Sequence, residues 1–317
     1  MEDSTIVTDS QGVAPAPPEL APGTLVGERY RLLQELGRGA MGCVHRAWDA
    51  EAGRLVAVKL VDRESTIAPR FRRGSKGLLQ LRHPGICEAT ACGRHGGLDY
   101  LVTRYYAGVS LDIALRWLGR WEAPNAVRLT ISLLEAIAYL HRQGYVHRDV
   151  KPSNILLTSE GRPILADFDL AKPFAANTPD SGVFSREALA SSLRESAGCL
   201  SGTPLYLPLE RLRGLPAEPG DDLYAAALVL YQLLTAQLPT DRSDYRDLAS
   251  LCAAREEPVT PPSQLGAELP RPLERVILRA LSPSPEDRYE TGEEFIAALR
   301  SGECPSGFFR ALSSHSA

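Results

Sequence analysis

The chain has 317 residues, 44% of them hydrophobic and 23% charged, a balance that fits a soluble globular protein and excludes disordered, fibrous and coiled-coil classes. That length suffices for one large or two ordinary domains with a core that needs no covalent staples. A formal net charge of -4 speaks against a nucleic-acid partner, because neutralising many phosphates takes a basic surplus.

The first 25 or so residues are rich in Pro, Ala and small polar residues and hold few large apolar side chains to bury, so residues 1–25 are expected to form a disordered tail. Their acids, and the lack of a following apolar run, do not fit a signal peptide. From Tyr30 the pattern is strand-like: "YRLLQEL", "GCVHRAW" and "RLVAVKL" are separated by glycine-containing turns, which predicts a small antiparallel sheet. A helix is expected over Phe71–Leu81, where the basic run "RFRR" reads as a solvated helix face and not as a phosphate patch. "LDYLVTRYY" reads as a further strand.

Beyond Gly108 a helical period takes over. Val127, Ile131, Leu134 and Ile137 (or Ala138) share one face, and Gly144 ends that helix. "LYAAALVLYQLLTAQL" from Leu223 to Leu238 contains Gln232 and Gln237 and falls short of the roughly 20 residues that cross a membrane, so a buried helix is expected. The six cysteines, at 43, 87, 92, 199, 252 and 304, show no metal-ligand spacing and read as free thiols of a reducing, cytoplasmic setting.

Three stretches carry chemistry. "GRGAMGCV" places Gly37, Gly39 and Gly42 in a G-x-G-x-x-G-x-V spacing between two strands. That context opposes a dinucleotide fingerprint, which needs a helix after the glycines, and allows backbone approach to a polyphosphate. "VAVK" follows one strand later and ends in Lys59, which can reach phosphate oxygens as a point charge. "HRDVKPSN", His147 to Asn154, sets an acid, a lysine and an amide at short intervals before the apolar "ILL".

With these residues in place the chain resembles the eukaryotic-like Ser/Thr protein kinase family over roughly residues 28 to 301. The resemblance implies an α+β bilobal protein-kinase fold, with a small β-rich N-lobe over 28–103, a hinge over 104–108 and a larger α-helical C-lobe over 109–301, followed by a tail over 302–317. It also implies roles. Asp149 would accept the proton of the substrate hydroxyl, Lys151 would offset charge on the transferred group, and Asn154 and Asp167 would hold Mg2+ (Mn2+ being an alternative). Thr203 would lie near Asp149. Leu36, Val44 and Ala57 from one side and Leu156 from the other would sandwich the purine of ATP beside Gly37, Gly39 and Gly42, with Thr103 at the back of the pocket. Phe168 would pack in the core, Glu210 would pair with Arg288, and Asp222 would open the central helix of the larger lobe. Lys151 with Pro152 resembles the Ser/Thr branch.

Two positions depart from the family pattern. Asp169 stands where Gly follows Asp-Phe, and Gly74 stands where the family has the helix glutamate that pairs with Lys59. No acid in "FRRGSKGLLQL" replaces it, which leaves Asp167, Glu64 or a partner's acid as alternatives; Leu78 keeps an apolar contact expected to face Phe168. The resulting expectation is an ATP-dependent protein serine/threonine kinase, with a pseudokinase scaffold as the alternative. Its substrates would be protein Ser and Thr hydroxyls, with self-phosphorylation in trans at Ser196, Ser201 or Thr203 docking on Arg148, and with no nucleic acid and no membrane segment.

Overall fold

A computed structural model of the chain describes residues 20–39, 42–168, 172–173, 203–239 and 247–300. Asp169, Ser196, Ser201, Cys199, Cys304, residues 1–19 and the tail over 302–317 fall outside them, as do the side chain of Thr203 and the glycine-turn residues Ala40 and Met41; residues 20–25, expected to belong to the disordered tail, are described, with Leu25 paired to Arg31. The chain divides into two compact units. One takes the described residues up to Leu79 together with Ala89–Tyr105, and the other takes Gln80–Glu88 and the described residues from Tyr106 onward.

The first unit is a six-stranded antiparallel sheet in the order β1-β2-β3-β4-β6-β5, formed by β1 (Leu25–Val26), β2 (Tyr30–Gly39), β3 (Gly42–Asp49), β4 (Arg54–Asp62), β5 (Ala89–His95) and β6 (Leu98–Arg104), together with helix α1 (Ala68–Leu78). Strand alternation sends Leu32, Cys43, Ala47, Val56, Val58, Leu60 and Val102 into one core cluster, because successive side chains point to opposite faces. α1 begins three residues before the expected Phe71 because Pro69 occupies its first turn, where the missing N–H costs nothing. It ends at Leu78, three residues short of the expected Leu81.

The second unit is mainly helical. Its elements include β7 (Gly108–Ser110), α2 (Leu111–Leu118), α3 (Ala123–Arg142), β8 (Tyr145–Val146), β9 (Ile155–Thr158), β10 (Pro163–Leu165), β11 (Lys172–Pro173), α4 (Leu209–Leu212), α5 (Pro219–Thr235), α6 (Leu248–Glu256), α7 (Arg271–Ala280) and α8 (Gly292–Arg300). The stripe read from sequence on α3 is buried, and so are Ala126, Leu129, Leu133, Ala136 and Leu140. The helix is covered on more than one face because α5, α8 and β10 all pack against it.

α5 is buried from Asp221 to Tyr231, as expected of an apolar run too short to span a bilayer. Its first turn is set by a reciprocal cap between Glu218 and Asp221, which satisfies backbone donors that a helix start otherwise leaves open. Each fully buried Leu or Val along it contributes about 1.5–3 kcal/mol relative to exposure. None of the described helices is long and apolar enough to cross a membrane.

Candidate active site

In the second unit the loop between β8 and β9 carries the predicted acid, lysine and amide, and they touch. Asp149 Oδ2 accepts hydrogen bonds from Lys151 Nζ at 2.8 Å and from Asn154 Nδ2 at 2.8 Å. Asn154 Nδ2 also donates to the Asp149 backbone carbonyl at 2.9 Å. The short 3-10 turn Pro152–Asn154 brings the amide back over the acid. Asp149 and Asn154 are buried, and Lys151 is half-buried. Because Asn154 spends its N–H groups on Asp149, its amide oxygen is the atom it can offer to a cation.

Asp167 enters beside this group. The Ala166 N–H donates to the Asn154 carbonyl at 2.9 Å, and Asp167 follows with an exposed side chain and a φ of 61°. That left-handed conformation suits Asp better than most residues. Phe168 is buried, and its ring meets His147 edge-on at 4.7 Å. His147 Nε2 donates to the Ala166 carbonyl at 3.1 Å while its Nδ1 accepts from the Asp149 N–H at 3.3 Å, so one tautomer satisfies both bonds. A single imidazole thus ties the strand end that carries Asp167 to the loop that carries Asp149.

What holds this loop comes from α5. Asp222, 1% exposed, accepts from the backbone N–H groups of His147 and Arg148, each at 2.8 Å. His141 Nε2 lies 2.9 Å from the same carboxylate, a contact that requires the ring proton on Nε2. Burial opposes ionisation of Asp222, but the hydrogen bond and charge of His141, with His147 beside it, hold its carboxyl below the usual range. Arg148 sits at a φ of 72°, a strained conformation for a non-glycine residue that persists only where its surroundings fix it. The two Asp222 bonds supply that constraint.

In the first unit the register groups the other predicted residues. Val44 pairs with Lys59 and Ala57 with Thr103. Residues directly opposite, or two apart, share a face, so Val44, Ala57, Lys59 and Thr103 form one half-buried patch on the side of the sheet away from the core cluster. Leu36, 46% exposed, belongs to β2, whose end pairs Gly37 with Val44 and Gly39 with Gly42. Leu156 is a half-buried residue of β9 in the second unit.

The glycines differ in what they require. Gly42 has a φ of 134°, and a Cβ there would stand 2.2 Å from the Leu60 carbonyl oxygen, so packing of the chain itself demands glycine. Gly37 and Gly39 have no left-handed φ, and a Cβ at either would meet nothing within 4 Å. Nothing described in the chain needs them bare; a polyphosphate lying against the backbone would. The donor set fits as well. A carboxylate at Asp167 and an amide oxygen at Asn154 are hard oxygen ligands suited to Mg2+, which is typically held by one or two protein groups plus phosphate and water.

Residues 30–296 match the model of the protein kinase domain. The chain belongs to the protein kinase domain family. It is 33% identical over 291 residues to the serine/threonine-protein kinase PknB of Mycobacterium tuberculosis, covering 88% of this chain and 44% of that protein. Against PknB of Mycolicibacterium smegmatis the identity is 32%, covering 86% and 43% of the two chains. A probable serine/threonine-protein kinase of Streptomyces coelicolor is 32% identical over 85% of this chain and 39% of its own. The chain therefore spans less than half the length of these curated relatives.

Within this kinase domain the expected Glu210–Arg288 pair is formed, bidentate at 2.6 and 3.3 Å, with Arg288 also donating to the Ser282 and Pro283 carbonyls and lying over the Tyr224 ring. Thr203 lies in the 3-10 turn Thr203–Tyr206. Gly74 is half-buried inside α1, whose sequence APRFRRGSKGL carries no acid. Sequence reasoning missed His141, the buried Arg211–Asp221 pair at 3.3 Å and the Arg72–Asp99 pair at 2.7 Å. "GDD" at the start of α5 was the available signal for Asp221 and Asp222; nothing local marks the other members.

Proposed function

We propose that this kinase domain transfers the γ-phosphate of ATP to serine and threonine hydroxyls of proteins, its own chain included, in a cytoplasmic setting. The observation that carries the reading is the buried Asp149–Lys151–Asn154 cluster, with both side-chain contacts at 2.8 Å to one carboxylate oxygen. Phosphoryl transfer is catalysed mainly by positioning and charge stabilisation, and this group meets both needs. Asp149 orients the incoming hydroxyl and takes its proton. Lys151, held on the same carboxylate, places a positive charge where the transferred group develops negative charge, and Thr203 would lie near Asp149. Asn154 and Asp167 would hold Mg2+, which when bound neutralises the phosphate oxygens. Lys59 reaches the phosphates from β4. As the family resemblance implies, Leu36, Val44, Ala57 and Leu156 would contact the purine, Thr103 would close the back of its pocket, and residues 104–108 would serve as hinge.

Incubation with labelled ATP and Mg2+ or Mn2+ tests this. Incorporation that disappears in Asp149→Asn supports catalysis; equal labelling of the variant refutes the role given to Asp149. A second reading, a scaffold without catalysis, is favoured by Gly74, since α1 supplies no glutamate for Lys59. It predicts no incorporation together with thermal stabilisation by nucleotide.

A further inference from the structure

Arg211 of α4 and Asp221 of α5 are both buried. Arg211 Nε lies 3.3 Å from Asp221 Oδ2, and a terminal nitrogen of the same guanidinium donates to the Leu215 carbonyl. The Asp221 oxygen also accepts from the Glu218 N–H at 3.1 Å. A buried ion pair is weak evidence for stability, since taking two charges out of water offsets their attraction and apolar residues of like volume serve as well. The place of the pair in the fold supplies a better reason for it.

Between the pair and the reactive loop lies a cavity of about 10 Å³, room for about one water molecule. Arg148, Asp149 and Val150 of the loop line it together with Arg211, Asp221 and Asp222. A buried water typically makes two to four hydrogen bonds to polar groups, and carboxyl, guanidinium and backbone groups border this space. Tyr206, also at the border, spends its hydroxyl on Gln232 at 2.6 Å.

The charges around the cavity compete. Asp221 is faced by Asp222 from its own helix, by Arg148 and Asp149 from the loop, and by Arg211 from α4, where Glu210 adds a negative charge while paired with Arg288. Burial pushes the Asp221 carboxyl up to about 8 against the pull of Arg211, and Asp222 and Glu210 add to the push. A neutral Asp221 can donate to a water and leaves the field of Arg211 to Asp222 and Asp149. An ionised Asp221 takes that field for itself and repels Asp222, whose carboxylate holds the His147 and Arg148 N–H groups. Given phosphoryl transfer at Asp149, on which this rests, we propose that Arg211 and Asp221 are positioning residues: through a water in this cavity, and through the adjoining Asp222, they hold the loop that aims Asp149 at the substrate hydroxyl.

Amide hydrogen exchange of the full chain, read over residues 145–155, tests the positioning without reference to catalysis. Exchange there is expected to quicken by about tenfold in Arg211→Met while that of α3 stays within about twofold, because a local opening and not the whole domain is affected. Arg211→Lys, which keeps the charge, restores part of the protection. With labelled ATP and casein as acceptor, on protein that circular dichroism shows to be folded, Arg211→Met lowers kcat by about tenfold and leaves KM for ATP within about twofold. Across pH 7 to 9 the kcat of the parent falls by about tenfold as Asp221 ionises, and in Asp221→Asn that decline is missing. A parent that transfers no phosphate overturns the proposed function and this role with it. An active parent whose Arg211→Met variant keeps its exchange rates, or whose Asp221→Asn variant keeps its pH profile, overturns this role alone, as does a high-resolution crystal structure in which no water occupies the cavity.

Discussion

Replacing Asp222 with Asn removes one acceptor from a site that uses two carboxylate oxygens for three donors. The backbone N–H groups of His147 and Arg148 are bound at 2.8 Å each and His141 Nε2 at 2.9 Å. Asn offers one carbonyl oxygen and turns an NH2 toward a donor that needs an acceptor. A hydrogen bond to a charged group is worth about 1.5–3 kcal/mol, and a buried N–H left without a partner costs about 1–3 kcal/mol. The sum is about 2.5–6 kcal/mol, with a midpoint of about 4 kcal/mol. For a unit of this size each kcal/mol shifts Tm by about 2–4 °C, so a fall of roughly 8–16 °C is expected in a thermal melt, with phosphoryl transfer reduced because Arg148 loses the contacts that fix its backbone.

The pH dependence adds a sign. The Asp222 carboxyl titrates below its usual range in the folded chain, so its contribution is fully present above the unfolded value of about 3.9. It is lost as pH falls through the folded value. Parent and variant should therefore converge in acid. His141→Phe in parent and variant backgrounds completes a double-mutant cycle, and a coupling of about 1 kcal/mol or more is expected for groups in direct contact. A variant melting within about 3 °C of the parent at neutral pH would sink the argument, since burial and hydrogen bonding at Asp222 would then not set the loop's stability.

Arg288→Ala strands Glu210 and opens two carbonyls, so a loss of about 3–5 kcal/mol is expected in urea unfolding, together with earlier proteolysis around residues 203–215. Gly42→Ala meets the Leu60 carbonyl and should cost about 2 kcal/mol or more. Gly39→Ala, with open space around it, should leave stability within about 0.5 kcal/mol while raising KM for ATP; equal melting of the two variants would contradict this contrast. Burial pushes the Asp221 carboxyl up to about 8 despite Arg211 beside it. A raised carboxyl favours the folded state below the unfolded value, and the advantage is lost as pH rises through the folded one. Between pH 6 and 9 the parent should lose stability that Asp221→Asn keeps, as read by Tm across that range.

Most of the candidate site could be read from short strings because its residues lie close together in the chain. Asp149, Lys151 and Asn154 lie within six residues, and the turn that converges them is written in "KPSN". Gly37, Gly39 and Gly42 could be read as a group, but which glycine serves the fold and which leaves room for a ligand depends on the Leu60 carbonyl of a neighbouring strand. The limits of α1 were missed on both sides because apolar periodicity begins at Phe71, whereas the helix is started by Pro69. The pairs His141–Asp222, Arg211–Asp221 and Arg72–Asp99 join residues 81, 10 and 27 positions apart. No pattern of spacing encodes such partners; they are set by which helices and strands end up adjacent.

The hold of Asp222 on His147 and Arg148 reaches across 75 and 74 positions of chain. The anchor of the reactive loop therefore lies on the far side of the stretch that follows it. A displacement of α5 would pull on both of those backbone N–H groups at once and carry the Asp149 loop with it.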